Sequence, residues 1–282
     1  MTKQHGSTAK QLADRLREDL RKVLEDVRQL ELDPRTRSII GEELQRSAAT
    51  LNGLIAQLDP IQRPGTVFDP GNPRTVGYFV ALAMTAQDKK SLQDLSNFYG
   101  AGIYALYYHG EFPSYKLISS TETPIYVGMA VQGASQATKP EAQGQPLAKR
   151  LAEHRKNIQR AATTLRVEDF YYRALVVQSG WEDPAEDYLI RLFRPLWNRE
   201  TAILYGFGKH GDSSQTRRNR RSPWDTLHAG RKWAQGGDQL DAMTLEQIVE
   251  KVETHLAGTP VFKSFQDVLF AFLANLKQQP SS

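Results

Sequence analysis

Leucine and valine positions set the first rhythm of the chain. Leu12, Leu16, Leu20, Val23 or Leu24, Val27 and Leu30 recur every three or four residues, which predicts one apolar face of a long helix from about Thr8 to Leu32. Asp33-Pro34 breaks it, with Asp33 placed to cap the next helix and Pro34 suited to its first turn. Ile40, Leu44, Ala48, Leu51, Ile55 and Leu58 then define a second amphipathic helix, stopped by Asp59-Pro60. Together they predict a helical hairpin over residues 1–62. Two such helices cannot bury both apolar faces on each other, so the hairpin needs the main domain or a second subunit. Pro64-Gly65, Pro70-Gly71 and Asn72-Pro73 mark an irregular linker.

Beyond the linker the pattern changes. Val76–Ala86 reads as a short buried helix, and Ser91–Leu95 as a helical piece ended by Gly100. Gly102–Tyr108 and Pro124–Gly128 are β-rich runs that read as an antiparallel pair, joined by an extended loop, Glu111 to Thr123. A Gly/Ala/Gln/Pro loop leads to Pro146, which opens a strong helix from Leu147 to about Ala162. Val167–Val177 is a third strand, with Phe170, Tyr172, Ala174 and Val176 on one side. Glu182–Phe193 is a helix that turns Leu189, Ile190 and Phe193 inward, and Asn198 follows in the turn after Pro195. The order β-β-α-β-α predicts an α+β fold, a small sheet flanked by helices. Gly206 to Pro223 reads as a long loop within a domain spanning 63–233. Two further helices, Thr244–Leu256 and Pro260–Lys277, form a C-terminal extension, 234–282. The last is apolar on most sides, which predicts burial against the domain or a partner.

Composition narrows the classes. The chain has no cysteine, which excludes disulfides, zinc–thiolate sites and thiol catalysis. Met1–Lys10 is polar, so no secretory signal is expected, and no run approaches the roughly 18 apolar residues of a membrane span. A cytoplasmic protein without membrane contact is the expectation. The net charge of +4 is unevenly placed. Residues 1–60 balance ten Lys/Arg against ten Asp/Glu. Residues 201–233 carry seven Lys/Arg against Asp212 and Asp225, whereas residues 234–282 carry three against six acidic residues. That polarisation points to one polyanion-facing segment.

Taken singly, the polar residues of the centre have ordinary explanations. Arg150 and His154 share one helix face four residues apart, as surface charges often do. Tyr104 and Tyr126 on neighbouring strands suit cross-strand packing, and Glu186 lies among Glu182, Asp183 and Asp187 on a polar helix face. Their joint arrangement says more. Cleaving a phosphodiester needs a carboxylate to hold a divalent cation, a cationic side chain for the developing charge, and a group that accepts a proton from water. Four successive elements supply all three.

Gly102-Ile103-Tyr104, Tyr126-Val127-Gly128, the Arg150/His154 helix, Glu186 and Asn198 together resemble the GIY-YIG nuclease superfamily over roughly residues 100–200. Valine replaces the usual isoleucine of the second motif, and the gap between the motifs is longer than usual. That gap, the His four residues after the Arg, and the Arg-rich stretch through Trp224 and Trp233 are most similar to the GIY-YIG type II restriction endonucleases that cut CCGCGG. The resemblance implies that Glu186 binds a single Mg2+, Arg150 stabilises the phosphate's charge, and Tyr104 acts as general base or water orienter, with a pKa that Arg150 or the metal must lower. It implies that His154 assists proton transfer or positions Tyr104, while Tyr126 and Asn198 hydrogen-bond the phosphate and the tyrosine network.

Independently of the family, Lys209, Arg217, Arg218, Arg220, Arg221 and Arg231 fit DNA binding, arginine being suited to bidentate contact with guanine. The bland alternative is a basic loop making phosphate contacts alone. Lys149, Arg155, Lys156 and Arg160 would extend the basic surface, and Trp224, His228 and Trp233 suggest that the loop folds back on the domain. A palindromic double-stranded DNA target requires two sites related by a dyad, hence a homodimer or a dimer of dimers. A cognate DNA methyltransferase is the expected genetic partner. The competing readings are a structure-specific or nicking GIY-YIG nuclease of repair or recombination, and a non-catalytic DNA-binding protein.

Overall fold

The computed structural model describes residues 2–29, 33–58, 61, 69–132, 137–178, 180–208, 220–235 and 240–277. It divides into two compact units, Met1–Gly65 and Thr66–Ser282. The first holds helices α1 (Thr2–Gln29) and α2 (Pro34–Leu58). Asp33 caps α2, its carboxylate accepting the Thr36 backbone N–H at 3.1 Å and the Thr36 hydroxyl at 2.5 Å. The leucine stripe of α1, Leu12, Leu16, Leu20 and Leu24, stays exposed.

The second unit is built on an antiparallel sheet of four strands: β1 (Lys90–Ser91), β2 (Gly102–Tyr108), β3 (Tyr126–Ala130) and β4 (Phe170–Val176), in the order β1-β4-β2-β3. Strand β2 is central and wholly buried because apolar layers cover both its faces. Tyr104, Leu106 and Tyr108 point into one core with Tyr172 and Phe170. Ile103, Ala105 and Tyr107 point into the other, with Val127. The first face is covered by α5 (Pro146–Arg160), α7 (Pro223–Leu227) and α8 (Leu245–Gly258). The second is covered by α3 (Pro73–Thr85), α6 (Glu182–Phe193) and α9 (Phe265–Lys277), and a short α4 (Pro140–Gln143) lies between β3 and α5. The fold is α+β, and no described helix is long and apolar enough to cross a membrane.

Several elements differ from the expectation. The piece expected to be helical near Ser91 begins as β1, which Ser91 and Lys90 form by pairing with Tyr171 and Tyr172. The C-terminal helices are integral to the second unit, since Ile248, Val252 and Leu256 enter one core and Val268 and Phe272 the other. Helix α9 starts at Phe265 rather than Pro260, because Ser264 and Asp267 cap it: the Asp267 carboxylate accepts the Ser264 N–H at 2.9 Å. It is also not buried all round, leaving Phe270 and Leu273 exposed. The loop between the first two motifs is not open. Its Tyr115 is buried, donor and acceptor in a chain that links Trp197 Nε1 at 2.9 Å and His228 Nε2 at 2.6 Å.

Candidate active site

Edge strand β3 and central strand β2 set the floor. Their register puts Tyr104 opposite Gly128 and Leu106 opposite Tyr126, so the two tyrosines are diagonal neighbours on one face, with ring centroids 6.2 Å apart. Glycine is required at 128, where a Cβ would run into the Tyr104 ring and hydroxyl. Helix α5 lies over this face. The i, i+4 spacing brings His154 down between the tyrosines, its Nε2 2.7 Å from the Tyr104 hydroxyl and its ring 5.1 Å from that of Tyr126. Tyr104 and His154 are both fully buried.

Arg150, one turn earlier, reaches the rim. It pairs with Glu153 at 2.9 Å, and its Nη2 donates to the Gly208 carbonyl. It also acts electrostatically on Tyr104 and Tyr126. Glu186 approaches from the opposite side, because α6 packs along β3 and the free edge of that strand leaves the Met129 N–H to bond its carboxylate. Burial first, then the neighbouring Glu200 and Asp183, raise Glu186 to about 7, against the pull of Met129 and Arg150. Tyr104 is also held well above the ordinary phenol value. Burial and Tyr126 outweigh the lowering by Arg150, so the arginine alone does not supply the activation expected of it. The Tyr104 hydroxyl and His154 Nε2 share one buried hydrogen bond, and the Nδ1–H tautomer of the imidazole leaves Nε2 able to accept the phenol proton.

The chemistry of these donors fits a divalent cation. Among the described residues no group of three or more His, Asp or Glu side chains forms a cage. Glu186 instead stands at an edge where nearby carboxylates have already made loss of its proton unfavourable, an environment that a cation relieves.

The family model for the Eco29kI GIY-YIG domain matches residues 96–256, more than half of the chain. The chain belongs to this family. It is a GIY-YIG nuclease, with DNA as the substrate class that the domain implies. A comparison with curated proteins gives no match.

Within this GIY-YIG domain, Tyr104, Tyr126, Arg150, His154 and Glu186 converge, but Asn198 does not reach the tyrosines. Its side-chain amide pairs with one residue of β3, accepting the Val127 N–H and donating to the Val127 carbonyl, both at 2.9 Å. It therefore acts as a one-residue strand partner that closes the sheet edge. Of the basic residues, Lys209, Arg217 and Arg218 lie outside the described residues. Arg220 is exposed. Arg221 pairs with Asp241 at 2.7 Å. Arg231, expected on the DNA-facing surface, is interior, with its side chain 4% exposed. Trp224 and His228 are buried as the folded-back loop requires, while the side chain of Trp233 lies outside those described. Lys149, Lys156 and Arg160 are exposed on α5, whereas Arg155 donates to the carbonyls of Gln93 and Leu95.

Sequence reasoning passed over three participants. Phe207 stacks on His154 with centroids 4.6 Å apart and rings 20° from parallel. Gly208 lies so close that a Cβ there would press on the Tyr126 hydroxyl. Glu200, two residues beyond Asn198, raises Glu186. The available signal was Gly206-Phe207-Gly208 itself, an aromatic between two residues able to bring backbone against a site.

Proposed function

We propose that this nuclease is a type II restriction endonuclease that hydrolyses both strands of a short G/C-rich palindrome, CCGCGG, with one Mg2+ bound by Glu186. The observation that carries the reading is the Tyr104–His154 hydrogen bond, 2.7 Å long and fully buried, with Arg150 and Glu186 both close enough to act on Tyr104 electrostatically. The Eco29kI name of the matched family model and the spacing of the motifs favour the restriction class and the target. Exposed Arg220, with Lys209, Arg217 and Arg218 beside it in sequence, supplies the basic segment that a guanine-rich major groove would meet.

The residues divide the work by chemistry. Arg150 carries a positive charge at the rim and balances the charge that builds on the phosphate. The bound metal would polarise the phosphate and favour ionisation of water. Water's proton passes through the Tyr104 hydroxyl to His154 Nε2. The water oxygen bonds to phosphorus, one P–O ester bond breaks, and the leaving oxygen takes a proton from solvent. No covalent link between enzyme and DNA forms. Tyr126 faces the same phosphate, while Asn198 holds β3, and with it Tyr126, in register. One such centre cuts one strand, so the functional unit is at least a homodimer. A methyltransferase protecting the same site accompanies it, because an unprotected host chromosome would be cut.

The experiment is cleavage of a plasmid bearing one CCGCGG site, with Mg2+, by the wild type and Glu186→Ala. Linear product from the wild type and none from the variant is expected. Cleavage retained in Glu186→Ala rejects the metal assignment. Nicking confined to branched DNA selects the repair-type reading, and binding without cleavage selects the non-catalytic one.

A further inference from the structure

Arg231 is buried, charged and outside the proposed reaction, which gives it no evident task. Its guanidinium donates from Nη1 to the Gly206 carbonyl at 2.8 Å and from Nη2 to the Phe207 carbonyl at 3.0 Å. Asp225 lies 3.6 Å away with its side chain fully buried, and the Trp224 ring 5.8 Å away. A guanidinium spans two consecutive carbonyls with donors fixed in a rigid planar fork, whereas an ammonium presents its donors from a single atom and holds them less rigidly. The chain so gripped is the one that touches the catalytic centre: Phe207 stacks on His154, and the Gly208 carbonyl accepts from Arg150. Phe207 is in turn wedged by Trp224, with centroids 4.5 Å apart, on the same short helix that bears Asp225.

We propose that Arg231 is a positioning residue of the catalytic centre and not a DNA contact: by holding residues 206–207 it seats Phe207 on the His154 ring and the Gly208 carbonyl on Arg150. A side chain this deeply desolvated, with both terminal nitrogens engaged, reaches a phosphate only if the turn around it unfolds. The catalytic consequence rests on the cleavage mechanism proposed for this site; the seating of His154 does not.

The test therefore has two independent readouts. The first is the NMR signal of the His154 ring protons, assigned by their loss in His154→Gln. In the wild type the stacked Phe207 ring shifts them upfield. Phe207→Leu, which leaves the buried ion pair intact, should remove that shift. Arg231→Lys, which keeps the charge but not the fork, should reduce it, and the charge-balanced double variant Arg231→Met with Asp225→Asn should as well. The second readout is single-turnover DNA cleavage against DNA affinity. A small misplacement of a reacting group lowers the rate by roughly 10- to 100-fold, with the dissociation constant and its salt dependence unchanged. Weakened binding with a salt slope reduced by about one in the Arg231 variants overturns the proposal in favour of a phosphate contact. Unchanged His154 signals, with activity falling only as the folded fraction falls, overturn it in favour of a purely structural ion pair. If the wild type does not cut DNA at CCGCGG, the proposed restriction activity fails, and the His154 signals still decide whether Arg231 seats the ring.

Discussion

Glu186 folds at a disadvantage whenever it is charged. Burial and the carboxylates of Glu200 and Asp183 raise it from an ordinary 4.5 to about 7, so between those values the folded protein binds more protons than the unfolded chain. Stability then falls as pH rises across that window, and it is restored below about 4.5, where both states are protonated. Glu186→Gln removes the penalty. Urea unfolding should show the variant more stable than the wild type at pH 8, by on the order of 1 kcal/mol after allowance for partial solvent screening. The two should match at pH 4. Equal stability at both pH values would show that the carboxylate is not strained. The same shift makes proton and metal compete, so the Mg2+ concentration for half-maximal cleavage should fall as pH rises from 6 to 8. Tyr104→Phe tests the relay one step inward: the phenol hydroxyl is buried and bonded to His154. Its removal should lower the single-turnover rate by about 100-fold or more while DNA binding is kept, and an unaltered rate would remove Tyr104 from the proton path. Spacing along α5 and the strand motifs made the meeting of Tyr104, Tyr126, Arg150 and His154 legible, though not the place of Asn198. The sequence did not show their protonation, since the direction for Tyr104 depends on total burial against one arginine, a sum taken over the folded environment.

At the scale of elements, local physics decides what was legible. A continuous β-rich run gave β2, alternating positions gave β4, period-three-and-four spacing gave α6, and Pro146 opens α5 at its first turn, as expected of it. Two helix starts were legible but missed. Ser222-Pro223-Trp224-Asp225 and Ser264-Phe265-Gln266-Asp267 each place an acidic residue three positions after a capping serine, and both open helices, α7 and α9. By contrast, β1 is two residues long and exists because β4 offers it an edge, which no local pattern announces. Asn198 is the sharper case. Its partner is the backbone of Val127, 71 residues away, so a side chain expected at the phosphate serves as a strand substitute. Asn198→Ala leaves a buried N–H and a buried carbonyl unpaired, each costing about 1–3 kcal/mol. Thermal unfolding should shift clearly downward, and the Val127 amide should exchange faster with solvent. Asn198→Asp, which accepts from the N–H but opposes the carbonyl, should rescue only part. If Asn198→Ala kept full stability and lost DNA affinity, the phosphate role would be the right one.

For the whole molecule the open matter is how two centres come to face two strands. Among the described residues, α1 and α9 each leave an apolar surface exposed. On α1, Leu16 and Leu20 are 49% and 42% exposed within a stripe that continues through Leu12, Val23 and Leu24; on α9, Phe270 and Leu273 are 59% and 45% exposed. The stripe on α1 follows the helical repeat over more than three turns, the form that a second helix can match along its length, whereas the α9 surface is a short patch. A dimer joined through the first unit is therefore the arrangement that the proposed double-strand cut favours. Replacing Leu16 and Leu20 together by lysine should leave the second unit folded, since none of its core residues is touched. Sedimentation should then report a monomer. With supercoiled plasmid, the product should change from linear DNA to nicked circles, because one centre still cuts its strand but its partner is no longer held on the other. Phe270→Glu should leave both the mass and the linear product unaltered. If the lysine variant stayed dimeric while Phe270→Glu dissociated, the dyad would run through α9, and the helical pair at the front of the chain would need another occupant for its leucines.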